Sequence, residues 1–183
     1  WEAETSGTKV LGRLGFENAY GFAMRRDRAE ALGATSIADL ARIAGQLTMG
    51  GDPEWFERPE WIGVRDAYGL QFGEQRTFSP TFMYNALTSG DADVISAYTS
   101  DGRIAADDLV VLADPKGALP NYDAIVLISP DMANDPQLAA TLAPLIGAVD
   151  VGTMREANYA VDREQDKWPV RRAARWLLDE VTG

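Results

Sequence analysis

Gly90-Asp91-Ala92-Asp93-Val94-Ile95-Ser96-Ala97-Tyr98-Thr99-Ser100-Asp101-Gly102-Arg103 is the stretch on which the reading of this chain turns. Gly90-Asp91 is a turn signal, Val94-Ile95 favours a β-strand, and Ser100-Asp101-Gly102 is a second turn leading to a helix start. The segment predicts a short buried strand with Tyr98 near its end. In α/β sheets, ligands bind beyond the carboxyl ends of the strands, where side chains and helix N-termini converge. An aromatic ring there either lines a pocket or caps a hydrophobic core, and the segment alone leaves both open.

Immediately upstream, Ser79 caps a helix with Pro80 at its first turn, its buried stripe is Phe82, Met83, Ala86 and Leu87, and Gly90 ends it. Downstream, Leu109–Leu112 and Ala124–Ser129 read as strands. The loop 114–123 between them holds Pro115 and Pro120, as expected of a crossing between lobes. Farther out, Ser36 caps a helix carrying Ile37, Leu40, Ala41 and Ile43-Ala44. Gln46–Met49 reads as a strand ending in the turn Gly50-Gly51-Asp52-Pro53, and Glu60–Tyr68 as a helix that Gly69 caps. Leu70–Phe72 begins another strand. Phe16, Tyr20, Phe22 and Met24 fall at alternating positions of a strand over 16–24, and 25–32 follows as a short helix or turn. Residues 1–15 read as an entry linker, with Val10-Leu11 a strand seed and Gly12 and Gly15 giving the backbone room to bend.

Strands alternating with helices at this spacing predict an α/β domain with a largely parallel sheet. After Pro130 the pattern is helical only: Asp135 caps 136–146, Asp150 caps a helix through Tyr159, and Val170–Leu178 forms a last one. The expected organisation is an entry strand or hinge over 1–14, a complete α/β lobe over 15–119, and a mainly helical remainder over 120–183. The remainder lacks a full sheet to cover, so its helices need an apolar partner.

Composition narrows the function. A net charge of −11 over 183 residues argues against a nucleic-acid partner, which needs clustered Lys and Arg. The chain has neither cysteine nor histidine. That removes disulfides, thiolate metal sites, the Ser-His-Asp and Cys-His arrangements and most zinc sites, and leaves carboxylate or lysine chemistry open. No metal and no cofactor are expected. No apolar run reaches the roughly 18 residues of a membrane span. The chain starts at Trp1 without an apolar leader, and the expectation is a trimmed chain or missing upstream sequence.

Several residues could carry chemistry. Asp91/Asp93 and Asp107/Asp108 could form a carboxylate dyad, yet both pairs sit at turn signals, where Asp serves local hydrogen bonds. Arg58, beside Trp55-Phe56, could point into a cleft and hold a carboxylate in a bidentate pair, or simply be solvated. Trp55 and Trp61 could line a site, although large aromatics on short helices are usually core. Tyr20, Tyr98 and Tyr122 each fall near a strand end or in the inter-lobe loop. If they converge, their ring faces suit a quaternary ammonium, which donates no hydrogen bonds and must be held by cation–π and dispersion contacts. Spacing cannot show convergence.

Five segments carry a family likeness: Gly15–Tyr20, Gly51–Arg58, Asp93–Ile104, Asp108–Leu112 and Leu119–Tyr122. In order along nearly the whole chain, they resemble the substrate-binding proteins of ABC importers for glycine betaine, choline, carnitine and related osmoprotectants. The resemblance implies a type II periplasmic-binding-protein fold of two lobes, one complete here and the other partial, that trap ligand by hinge closure. It further implies a non-enzymatic, periplasmic or extracytoplasmic component whose partners are a small quaternary ammonium ligand and ABC permease subunits. Carried over by position, Tyr20, Tyr98 and Tyr122 match the cage tyrosines, Arg58 matches the arginine that receives the ligand's carboxylate, and Asn18 matches a backbone contact. Members of the family begin with a segment on the order of half a lobe upstream of Trp1, which supplies another tyrosine and further polar contacts. A chain without it is expected to bind betaine or choline poorly. Two rivals are an effector-sensing domain of a regulator, which shares the two-lobed architecture, and a carboxylate-dependent hydrolase using Asp107 or Asp108.

Overall fold

The computed structural model describes residues 7–183, so the part of the entry-linker reading that falls on residues 1–6 lies outside the described residues. The chain divides into two compact units, one formed by 1–18 with 122–183 and the other by 19–121.

The unit of residues 19–121 is built on a five-stranded sheet. With β1 (Lys9–Glu17) in the other unit, its strands are β2 (Tyr20–Arg25), β3 (Thr48–Gly51), β4 (Glu74–Thr77), β5 (Val94–Tyr98) and β6 (Leu109–Val111) in the order β4-β3-β5-β2-β6. β3 pairs in parallel with β4 and β5, whereas β2 pairs antiparallel with β5 and β6. β3, β4, β5 and β6 therefore run one way and β2 alone runs against them. The largely parallel sheet expected from the alternation is thus interrupted by one inserted strand. It is not preceded by a helix within its own unit, because the chain arrives from the other unit at residue 18.

Alternation along β2 sorts the core. Phe22 and Met24 are fully buried in a cluster with Ile37, Leu40, Met49 and Trp61, while Ala23 packs with Leu87, Ile95 and Ile104 in a second cluster. Around the sheet lie α1 (Arg26–Leu32), α2 (Ile37–Ala41), α3 (Pro59–Tyr68), α4 (Pro80–Ser89) and α5 (Arg103–Ala106). Ser36 caps α2 as expected, through a box in which its hydroxyl accepts from the Asp39 amide and Asp39 accepts from the Ser36 amide.

Four local expectations are corrected. Residues 16–24 are two strands broken at 18–19, where the chain changes unit. Gly50-Gly51 is not a turn but the end of β3. A Cβ on Gly51 would lie 2.5 Å from Trp55 Cδ1, so glycine here admits a buried indole against the strand. The strand expected at 70–72 falls instead at Glu74–Thr77, an exposed, wholly polar edge with no apolar periodicity to reveal it. On α4, Phe82 is exposed and Tyr84 takes the buried place assigned to it.

In the other unit, β1 pairs antiparallel with β7 (Asp123–Ile128). Residues 9–17 are a strand and not a linker, and the register of β1 shifts next to Gly12 and around Gly15, whose φ is 120°. These glycines let β1 approach the 146–149 segment, since a Cβ on Gly12 would stand 2.7 Å from Ile146 Cγ2. The Gly147 and Val149 amides donate to the Arg13 and Leu14 carbonyls at 2.9 and 3.0 Å. Helices follow: α6 (Pro136–Leu142), α7 (Val151–Asp162) and α8 (Val170–Thr182), with short 3-10 turns at 130–132 and 143–145. The Asp135 and Asp150 carboxylates each accept two backbone amides at the starts of α6 and α7.

Candidate functional site

The antiparallel pairing of β2 with β5 sets Tyr20 directly opposite Tyr98. Beyond the pair, the Ala19 amide donates to Thr99 Oγ1 at 3.1 Å and the Thr99 amide to the Ala19 carbonyl at 2.9 Å, which holds the strand ends in register. The two rings lie 4.7 Å apart between centroids, tilted by 33°, and their hydroxyls share a hydrogen bond of 2.8 Å. They are neighbours in one wall, too close to enclose a cation between them. Tyr20 is nearly buried, whereas Tyr98 is 43% exposed and offers its ring to solvent. Burial first, then the bond to Tyr98, pushes the Tyr20 phenol well above its ordinary pKa, so it stays protonated at physiological pH.

Behind Tyr20 stands Trp55, fully buried on a 3-10 turn over 55–57, with its centroid 4.9 Å from the tyrosine. The same turn delivers Arg58, whose extended backbone the following Pro59 favours. The Arg58 guanidinium carbon lies 5.6 Å from the Tyr20 centroid. Its Nη2 donates to Glu54 Oε2 at 2.9 Å, but Glu54 is largely exposed, and Nε is buried without a hydrogen bond. As an arginine, Arg58 is a permanent cation beside the rings. A guanidinium beside aromatic rings suits a carboxylate.

A hollow of about 170 Å³ opens beside the pair, with Asp52, Tyr84, Ser96 and Asp101 among its walls. None of these four stood out in the sequence. Asp52 and Asp101 read as turn residues, and Tyr84 sits on a helix whose stripe was assigned to other positions.

Tyr20, Tyr98 and Arg58 are thus brought together within one unit. Tyr122 and Asn18 belong to the other unit, where the Asn18 amide donates to the Tyr122 carbonyl at 3.0 Å and the Tyr122 side chain is exposed. The acidic pairs do not form a dyad. Asp107 is held by Arg103, Asp108 by Arg26, Asp93 by Arg28 and the Thr48 amide, and Asp91 by the Ser89 hydroxyl. Among the described residues no cluster of three carboxylates could hold a metal ion, and no helix is long and apolar enough to cross a membrane.

Comparison with known proteins identifies the family. A family model described as the substrate binding domain of ABC-type glycine betaine transport system matches residues 2–179. The chain is 32% identical to the carnitine transport binding protein OpuCC of Listeria monocytogenes over 81% of its length, and 33% identical to a glycine-betaine-binding protein of Pseudomonas aeruginosa over 96%. It covers 49% and 60% of those two proteins, so the chain spans about half the length of the curated relatives it matches. Among solved structures, a glycine betaine/carnitine/choline ABC transporter crystal structure superposes with a TM-score of 0.87 at 30% identity, covering 97% of this chain and 66% of that one. Apo YehZ from Escherichia coli superposes with a TM-score of 0.76 at 25% identity. The fold is that of the type II periplasmic binding proteins, and these matches give the regulator reading no support.

Proposed function

The chain belongs to the substrate-binding domains of ABC-type glycine betaine transport systems, and we propose that it captures a quaternary ammonium osmoprotectant for import, with Tyr98 and Tyr20 receiving the onium group and Arg58 the carboxylate. By resemblance, Tyr122 matches a further ring of the family's cage and Asn18 a backbone contact. With the Asn18 amide already given to Tyr122, that contact falls to other backbone atoms of the segment. Glycine betaine would use both ends of the site and choline only the rings. The protein would act outside the cytoplasm, hand its ligand to permease subunits, and catalyse nothing.

The observation that carries this reading is the exposed Tyr98 ring in hydrogen-bonded contact with Tyr20, with the Arg58 cation on the same tyrosine. The onium nitrogen is charged but donates no hydrogen bond, so ring faces suit it better than carboxylates alone. The test is a nuclear magnetic resonance titration of the 183-residue chain with glycine betaine and with glycine. Betaine should shift the ring resonances of Tyr98 and Tyr20, and glycine, whose ammonium keeps its water, should not. Equal responses to the two would sink the proposal.

A further inference from the structure

We propose that α8 and the residues leading into it form a docking face for an anionic phospholipid surface. This face belongs to the unit of residues 1–18 and 122–183, and it stands whether or not Tyr20, Tyr98 and Arg58 take the ligand proposed above. Lys167-Trp168-Pro169-Val170-Arg171-Arg172-Ala173-Ala174-Arg175-Trp176 holds four positive charges and no negative one, in a chain whose net charge is −11. Elsewhere the arginines are neutralised. Among the described residues, every arginine from Arg13 to Arg103 lies within ion-pair distance of a carboxylate. Arg171, Arg172 and Arg175 enter no such pair among the described residues, and all three are exposed.

Helix geometry gathers these charges beside apolar surface. At 3.6 residues per turn, Val170, Ala174 and Leu178 form one stripe, and Arg171 and Arg175 run along its border. Val170 is 70% exposed and Leu178 47%, while Ala173 is buried on the packed side. Two indoles stand next to the border. Trp168 and Trp176 meet edge to face with centroids 6.1 Å apart, and the Arg172 and Arg163 guanidinium carbons lie 4.3 and 5.8 Å from the Trp168 centroid. An open groove of about 600 Å³ runs along Arg171, Arg172, Arg175 and Trp176, with Asp179 as the carboxylate in its wall. Guanidiniums, half-exposed indoles and an aliphatic stripe on one helix are what an interfacial helix presents to phosphates, headgroups and the acyl boundary respectively. A flat array of phosphodiesters engages all three arginines at once. A purely acidic polypeptide would satisfy the charges but leave the Val170–Leu178 stripe in water. The strongly acidic remainder of the chain is repelled by the same surface, so docking would also fix the orientation of this unit.

Sedimentation of the 183-residue chain with lipid vesicles tests this. One set of vesicles is phosphatidylcholine alone, the other equal parts of phosphatidylglycerol and phosphatidylcholine. The chain should pellet with the anionic set only, and be released as salt is raised. Arg171→Gln, Arg172→Gln and Arg175→Gln combined should weaken binding on the order of a hundredfold, at about fivefold per arginine. Arg42→Gln, Arg65→Gln and Arg76→Gln combined remove the same charge from exposed ion pairs of the other unit, and should change it by less than about threefold. Circular dichroism spectra matching that of the unsubstituted chain establish that both variants are folded. Pelleting with neither set of vesicles, or equally with both, overturns the proposal, as does an equal loss in the two triple variants. Retention on immobilised polyglutamate without pelleting on vesicles overturns it too, and would make the partner an acidic polypeptide.

Discussion

In the proposed site Arg58 and Tyr98 would divide recognition by charge, and each assignment makes a separate prediction. A desolvated cation–π contact contributes about 0.5–2 kcal/mol, so Tyr98→Ala should weaken glycine betaine and choline alike, by up to about thirtyfold. Arg58→Ala should cost betaine roughly tenfold or more through the lost charge-assisted hydrogen bond, and choline far less, because choline carries no carboxylate. Parallel titrations of both ligands decide the matter. Equal losses on Arg58→Ala would remove the assigned role. At this scale the sequence was informative only where chemistry is local. Tyr98 could be placed at a strand end from its own neighbours, and Arg58 beside its aromatic turn. The contact between Tyr20 and Tyr98 spans 78 positions and depends on strand register, which spacing does not encode. Tyr84 was invisible for the same reason. Only the packed sheet shows that the helix turns Tyr84 inward and Phe82 outward.

Elements whose signals are short-range were legible, and those defined by close approach were not. The caps at Ser36, Asp135 and Asp150 were read from the residue and the apolar run that follows, and all three make the capping bonds, whereas Ser79, read the same way, stands at the N-cap of α4 without a side-chain bond. Ser36→Ala should lower stability by about 1 kcal/mol in thermal or chemical unfolding. The same box carries a pH dependence. Hydrogen bonds from Ser36 and Thr35 hold the Asp39 carboxyl well below the usual carboxylate range. Its contribution is therefore complete above the unfolded-state value of about 3.9 and is lost as pH falls through the depressed folded value. Unfolding curves of Asp39→Asn and the unsubstituted chain should accordingly converge in acid. Convergence at neutral pH instead would contradict the cap. Gly51 makes the opposite case. It reads as a turn residue, yet its role is to leave room for the Trp55 indole. Gly51→Ala should cost about 1–3 kcal/mol by overpacking and displace the floor behind Tyr20, lowering betaine affinity together with the melting temperature.

Affinity belongs to the molecule as a whole, and here the magnitudes are decisive. Micromolar binding requires about 8 kcal/mol after the cost of association. Even if Tyr20, Tyr98 and Tyr122 each gave a fully desolvated contact of about 2 kcal/mol, the rings would fall short. Arg58 closes part of that gap for betaine but must first be drawn from Glu54, an exposed and weak ion pair. Within the 183 residues, Tyr98 is also 43% exposed, so its contact works against competing water and lies at the low end of the range. The unit of residues 1–18 and 122–183 carries exposed apolar side chains of its own, among them Val10, Ile125, Leu127 and Val170. The chain also spans about half the length of its curated relatives. Calorimetry on this chain should therefore find glycine betaine binding weaker than micromolar, and choline weaker still. A micromolar constant for the 183 residues alone would mean that the groups described here suffice, and would overturn this accounting.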